Sequence, residues 1–85
     1  MLSASRDRKA CAVAKATRIL ANGVALTTRE LEVLELLVGG HTNSEIAKTL
    51  GIREQTVKDY VSVLLRKFQV QRRVALAVAA VRAGL

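Results

Sequence analysis

An all-α domain of four helices, preceded by an additional helical arm, is the fold class that this 85-residue sequence predicts. Two Thr-x-x-Glu boxes, Thr27/Glu30 and Thr42/Glu45, each open an apolar run that closes on glycine. Such a box satisfies free N–H groups at a helix start, and glycine suits the backbone at a helix end. Apolar residues recur at intervals of three and four, the spacing of one helix face. The composition is 51% hydrophobic, yet Tyr60 and Phe68 are its only aromatics and proline is absent. A core of Leu, Val, Ile and Ala suits packed helices better than a small β-barrel, and without proline nothing interrupts a long helix. A chain of this length buries roughly 60% of its extended surface and forms one small, marginally stable unit.

Residues 1–24 read as a basic helical arm or linker, and residues 25–85 as the main domain. Across residues 7–21 the composition is helix-forming, with Val13, Ala16 and Leu20 as a weak apolar face and Asn22-Gly23 as a stop. Arg6, Arg8, Lys9, Lys15 and Arg18 among Ala and Ser have an organelle-targeting flavour, but a helix leading into the next unit accounts for them equally.

Thr27 opens the first helix of the main domain. Leu31, Leu34 and Val38 line its inner face with support from Val33 and Leu37, and Gly39-Gly40 ends it. Thr42 opens a short second helix with Ile46, Ala47 and Leu50 inward, closed by Gly51. His41 completes the turn between the two. A third helix is expected over about residues 54–68, with Val57, Val61, Leu64, Leu65 and Phe68 as its apolar stripe. Gln55, Lys58, Asp59, Ser62 and Arg66 occupy its opposite face. Gly51-Ile52-Arg53 joins helices two and three, with Ile52 plugging the corner, so the pair reads as a helix-turn-helix.

The fourth helix, about residues 73–83, is apolar without a break from Val74 to Val81. Leu76, Ala79 and Ala80 are expected in the core. Val74, Ala77, Val78 and Val81 then form a second seam, which predicts dimerisation through this helix. The competing reading has residues 1–23 folding back over the seam.

Charge points to the kind of partner. The net charge is +7 with a pI near 10.6, a balance that favours a polyanion. From Lys48 onward eight Lys/Arg residues stand against Glu54 and Asp59, whereas residues 27–40 set Arg29 against three glutamates. The basic surface therefore belongs to the C-terminal half. No apolar run reaches the roughly 18 residues that a membrane span needs, and the lone Cys11 cannot form an internal disulfide. No carboxylate pair, metal cluster or phosphate-cradling glycine loop is apparent. Neither catalysis, a metal, a cofactor, a membrane nor a small-molecule ligand is expected.

Leu-Thr-Thr-Arg-Glu-Leu-Glu-Val-Leu from Leu26, Thr-Asn-Ser-Glu-Ile-Ala from Thr42, Gln-Thr-Val-Lys from Gln55, then Arg-Lys-Phe and Ala-Gly-Leu, keep an order and spacing that resemble the LuxR/GerE-type DNA-binding domain of bacterial transcription regulators. The resemblance covers about 60 residues. It implies a third helix that enters the major groove and a fourth that mediates dimerisation. It implies phosphate contacts from Thr56 and Lys67, a groove-edge or backbone contact from Lys58, and base-edge contacts from Asp59 and Ser62. The chain departs from the family at helix ends: Arg53 stands where serine is common, Gln69 where glycine is, and Arg72 where a small or Asn-like residue is. Tyr60 replaces a frequent histidine. A lost serine cap costs about 1 kcal/mol, and Arg53 offsets that cost only by reaching a DNA phosphate.

The expected function is sequence-specific binding of double-stranded DNA at promoter half-sites, as a homodimer in the bacterial cytoplasm, with RNA polymerase a further partner. Either a stand-alone regulator or the output domain of a response regulator fits. Region four of sigma factors shares the Leu-Thr-x-Arg-Glu opening, but Gln-Thr-Val-Lys and the apolar fourth helix favour the LuxR/GerE reading. The alternative from another class is a protein-interaction module that heterodimerises with a full-length regulator through the fourth helix.

Overall fold

In chain order the elements are strand β1 (Ala16–Ile19), strand β2 (Ala25–Thr27), and helices α1 (Thr28–Val38), α2 (Asn43–Leu50), α3 (Glu54–Phe68) and α4 (Arg73–Arg82). The computed structural model describes residues 16–85. Helices α1 and α2 fall where their capping boxes predict, and α3 and α4 where their apolar patterns do. Both capping boxes are present: Thr27 and Thr42 accept from the N–H groups of Glu30 and Glu45, whose carboxylates accept from the threonine N–H groups in return. Gly51 ends α2 at φ 69°, a left-handed conformation that glycine adopts without strain.

The predicted arm is corrected at residues 16–19, which form a strand and not a helix. β1 runs antiparallel to β2, pairing Ala16 with Thr27, Arg18 with Leu26 and Ile19 with Ala25 across an irregularity. Asn22-Gly23 is the hairpin's turn. Gly23 adopts φ 89°, its N–H donates to the Leu20 carbonyl at 2.8 Å, and Asn22 Oδ1 accepts from the Val24 N–H at 3.1 Å. Glycine takes the positive φ that this turn needs, and the asparagine side chain closes it on the backbone two residues on. Leu20 is therefore buried from the hairpin, sharing no helical face with Ala16. The remainder of the expected arm, Val13 and Cys11 included, lies outside the described residues.

One core joins β2 and the four helices. Leu26 from β2, Val33 and Leu34 from α1, Ile46 from α2, Val57 and Leu64 from α3 and Leu76 from α4 are fully enclosed. Each such side chain contributes about 1.5–3 kcal/mol relative to exposure, large against a net stability of about 5–15 kcal/mol. Leu31, Val38, Leu50, Ile52, Tyr60, Leu65 and Ala79 are half-buried around this centre.

Polar ties fasten α4 at both ends. Arg73 at its start donates to Asn43 Oδ1 and to the His41 carbonyl, each at 2.6 Å. His41 Nδ1 in turn lies 3.0 Å from the Leu36 carbonyl, so the α1–α2 corner and α4 are locked together. At the other end the Ala21 N–H bonds the Ala83 carbonyl, and Arg18 bonds the Gly84 carbonyl.

The unusual helix ends behave as their residue types require. Arg53 and Arg72 precede α3 and α4 without any side-chain cap hydrogen bond. Gln69 ends α3 at φ 57°, the sole non-glycine positive φ among the described residues. A Cβ in that conformation is strained. Gln69→Gly is accordingly expected to raise stability by about 1 kcal/mol, read as a higher urea midpoint with unchanged slope. A lower midpoint would show that no strain is stored there.

Candidate DNA interface

Two rows of side chains run along α3 on opposite sides. Val57, Val61, Leu64 and Phe68 are buried, while Gln55, Asp59, Ser62 and Arg66 are exposed. Each exposed residue lies two positions before its buried counterpart, about 200° around a helix of 3.6 residues per turn. Lys58 is exposed beside the polar row, three residues from Gln55 and four from Ser62. Packing of the inner row thus determines which residues face outward. The fold brings Gln55, Lys58, Asp59, Ser62 and Arg66 into one strip, with exposed Arg53 at its head and half-buried Thr56 on its flank.

The strip is ordered from within. Gln55 Nε2 donates to Asp59 Oδ1 at 3.2 Å, one helical turn apart. Helix α2 is held across the tight turn by the Ile52 N–H bonding the Ala47 carbonyl at 3.0 Å. At the head of α3 no side chain caps the positive helix end, which lies beside the exposed Arg53 guanidinium, with Glu54 in the first turn partly offsetting both. Both features favour an anion.

Lys67 is placed differently from its neighbours. About 100° around from Arg66, its Nζ lies 2.7 Å from Glu30 Oε1 and donates to the Ala25 carbonyl at 3.0 Å. Two of its three N–H donors are engaged within the fold. The Glu30 side chain is only 10% exposed, and it also accepts the Thr27 N–H. Burial works to raise the Glu30 pKa. The Lys67 hydrogen bond, the Thr27 N–H, the Lys67 charge and the Thr27 hydroxyl together outweigh it and hold the carboxyl below its ordinary value. Glu30 thus joins the first helix cap to the end of α3, a role that the capping box alone did not reveal. Arg73 was likewise unassigned from sequence, because its partners lie 30 and 32 residues away.

On the far side, α4 presents an apolar seam. Val74, Val78 and Val81 are 75%, 45% and 54% exposed, and Ala77 is half-buried beside them. The hairpin is hydrogen-bonded to the C-terminal end of α4 through Ala21 and Arg18, and the valines stay exposed beside it. Two open grooves flank Val78, one reaching Val70 and Ala21, the other Val38 and Val81. Among the described residues no group of three His, Cys, Asp or Glu is placed to hold a metal ion, and no helix is long and apolar enough to cross a membrane.

Comparison with known proteins gives this geometry a context. The family model for bacterial regulatory proteins of the luxR family matches residues 24–80. The chain is 51% identical over 53 residues to the nitrate/nitrite response regulator protein NarP of Escherichia coli (strain K12), which spans 62% of this chain and 25% of NarP. It is 47% identical over 49 residues to the transcriptional regulatory protein DesR of Bacillus subtilis (strain 168), over 58% of this chain and 25% of DesR. A solved structure of the transcription factor GerE superposes with a TM-score of 0.65 at 34% identity, covering 69% of this chain and 88% of that one. The matched region is about a quarter of the length of these two curated relatives.

Proposed function

This chain belongs to the luxR family of bacterial regulatory proteins, and from that premise we propose that it binds duplex DNA sequence-specifically through α3, as a homodimer joined along α4. The observation that carries the reading is the exposed strip Gln55–Lys58–Asp59–Ser62–Arg66, presented by a helix whose opposite row is locked into the core. A helix of this width fits the major groove of B-DNA. Lys58 and Arg66 supply charge for phosphates and base edges, Thr56 bonds a phosphate at the strip's flank, and Ser62 meets a base edge. Arg53 completes the grip at the head of α3. Lys67 first holds the scaffold and has one N–H left for a phosphate.

The chain works in the bacterial cytoplasm, either as a stand-alone regulator or as the output domain of a longer response regulator. Bound near a promoter, such a dimer meets RNA polymerase. The luxR family is generally non-enzymatic, and the proposed activity is binding alone. One observation favours a second reading: the uncovered valine seam of α4 suits a full-length regulator as well as a second copy. Retained DNA binding by the isolated chain would set that reading aside.

The test of the DNA grip is the salt dependence of affinity. Lys58→Ala should weaken binding about tenfold and reduce the slope of log K against log salt by about 1, because one fewer counterion is released. Arg53→Ser should flatten the slope in the same way. Unchanged affinity and slope in Lys58→Ala would remove α3 from the interface.

A further inference from the structure

We infer that Gln55 reads an adenine and that Asp59 is the residue that positions it, by fixing which way the glutamine amide faces. This rests on the DNA-binding reading above and assigns part of its specificity. Gln55 Nε2 donates to Asp59 Oδ1 at 3.2 Å, and both side chains are on the exposed row of α3. A free glutamine amide can turn over, exchanging its carbonyl oxygen for its NH2 group at little cost. An ionised carboxylate accepts hydrogen bonds and donates none, so only the NH2 group can face Asp59. The bond therefore selects one orientation of the amide. One N–H and the carbonyl oxygen of Gln55 then remain for a partner.

That remaining pair, one donor beside one acceptor, matches adenine, which offers the N7 acceptor and the N6 amino donor in the major groove. Guanine presents two adjacent acceptors, N7 and O6, and would set O6 against the glutamine oxygen. Cytosine and thymine offer only one complementary group each. Gln55 belongs to the first turn of α3, where residues of a recognition helix meet base edges. Engagement with Gln55 also gives the Asp59 carboxylate a partner in a surface that must approach phosphates. Asp59 acts through Gln55 and reads no base itself.

Selection from randomised DNA duplexes, run in parallel with the full chain and with Gln55→Ala, Asp59→Ala and Asp59→Asn, tests the assignment. The unchanged chain should enrich adenine at one position of each half-site by about tenfold or more. Gln55→Ala should lose that preference. Asp59→Ala should lose it at the same position, leaving other positions intact. Asp59→Asn, which still offers an acceptor to Gln55, should keep part of it. If Asp59→Ala instead erased a cytosine preference at a different position, Asp59 would be a direct reader and the assignment would be overturned. An unaltered profile in Gln55→Ala would overturn it too. Failure of the unchanged chain to enrich any sequence would defeat the DNA-binding reading itself.

Discussion

Val78→Glu is expected to leave the protein folded as a monomer and to weaken its binding to a two-half-site operator by about 100-fold or more. The inner row of α4, Leu76 and Ala80, is untouched by the change, so the core remains filled. Val78 lies between the two grooves on the outer seam, where a two-fold axis would bring it near its own counterpart. Glutamate there sets a carboxylate of each copy into a mainly apolar seam, whose nearest cation is Arg82 of the same helix. Once the copies separate, each half-site is held by one recognition helix, and the gain from linking two weak contacts disappears. Sedimentation of the free protein and a titration on DNA measure both effects. A variant that sediments and binds like the unchanged chain would remove α4 from the account.

Lys67→Met should cost about 2 kcal/mol of folding stability, because it strips the Glu30 carboxylate of its ammonium partner. A wholly buried pair would cost more; the Lys67 side chain is 34% exposed, and water screens part of the loss. The pH dependence has a definite sign. Since the folded-state pKa of Glu30 is lowered, its contribution is fully present above the ordinary carboxylate value, about 4.3. It is lost as the pH falls through the lower, folded value. Urea melts between pH 3 and 7 should therefore show the unchanged chain weakening with acid more steeply than Lys67→Met or Glu30→Gln. If Lys67 served only as a phosphate grip, its substitution would flatten the salt slope of DNA binding and leave the melts alone.

The four helices were legible in the sequence because their signals are local. A threonine three residues before a glutamate and a glycine at the stop mark α1 and α2, and apolar spacing marks α3 and the unbroken apolar run marks α4, all within a few turns. The polar strip of α3 was legible for the same reason, as the complement of a buried row. The hairpin was not, since strands of three and four residues are too short to show alternation, and Asn22-Gly23 serves as a helix stop or a turn. Nor could the sequence pair Lys67 with Glu30, 37 positions away, or Arg18 with Gly84, 66 away. Such ties depend on how the finished elements lie together. They explain why Lys67 is bonded inside the fold while Lys58, nine residues earlier, is simply exposed.

A protection footprint of the 85-residue chain on genomic DNA fragments, with excess non-specific competitor, tests the central claim most directly. Discrete protected sites are expected, each made of two related half-sites on neighbouring major grooves, protected together over one narrow range of protein concentration. Uniform protection without preferred sites, or none at concentrations where the chain is folded and dimeric, would contradict it.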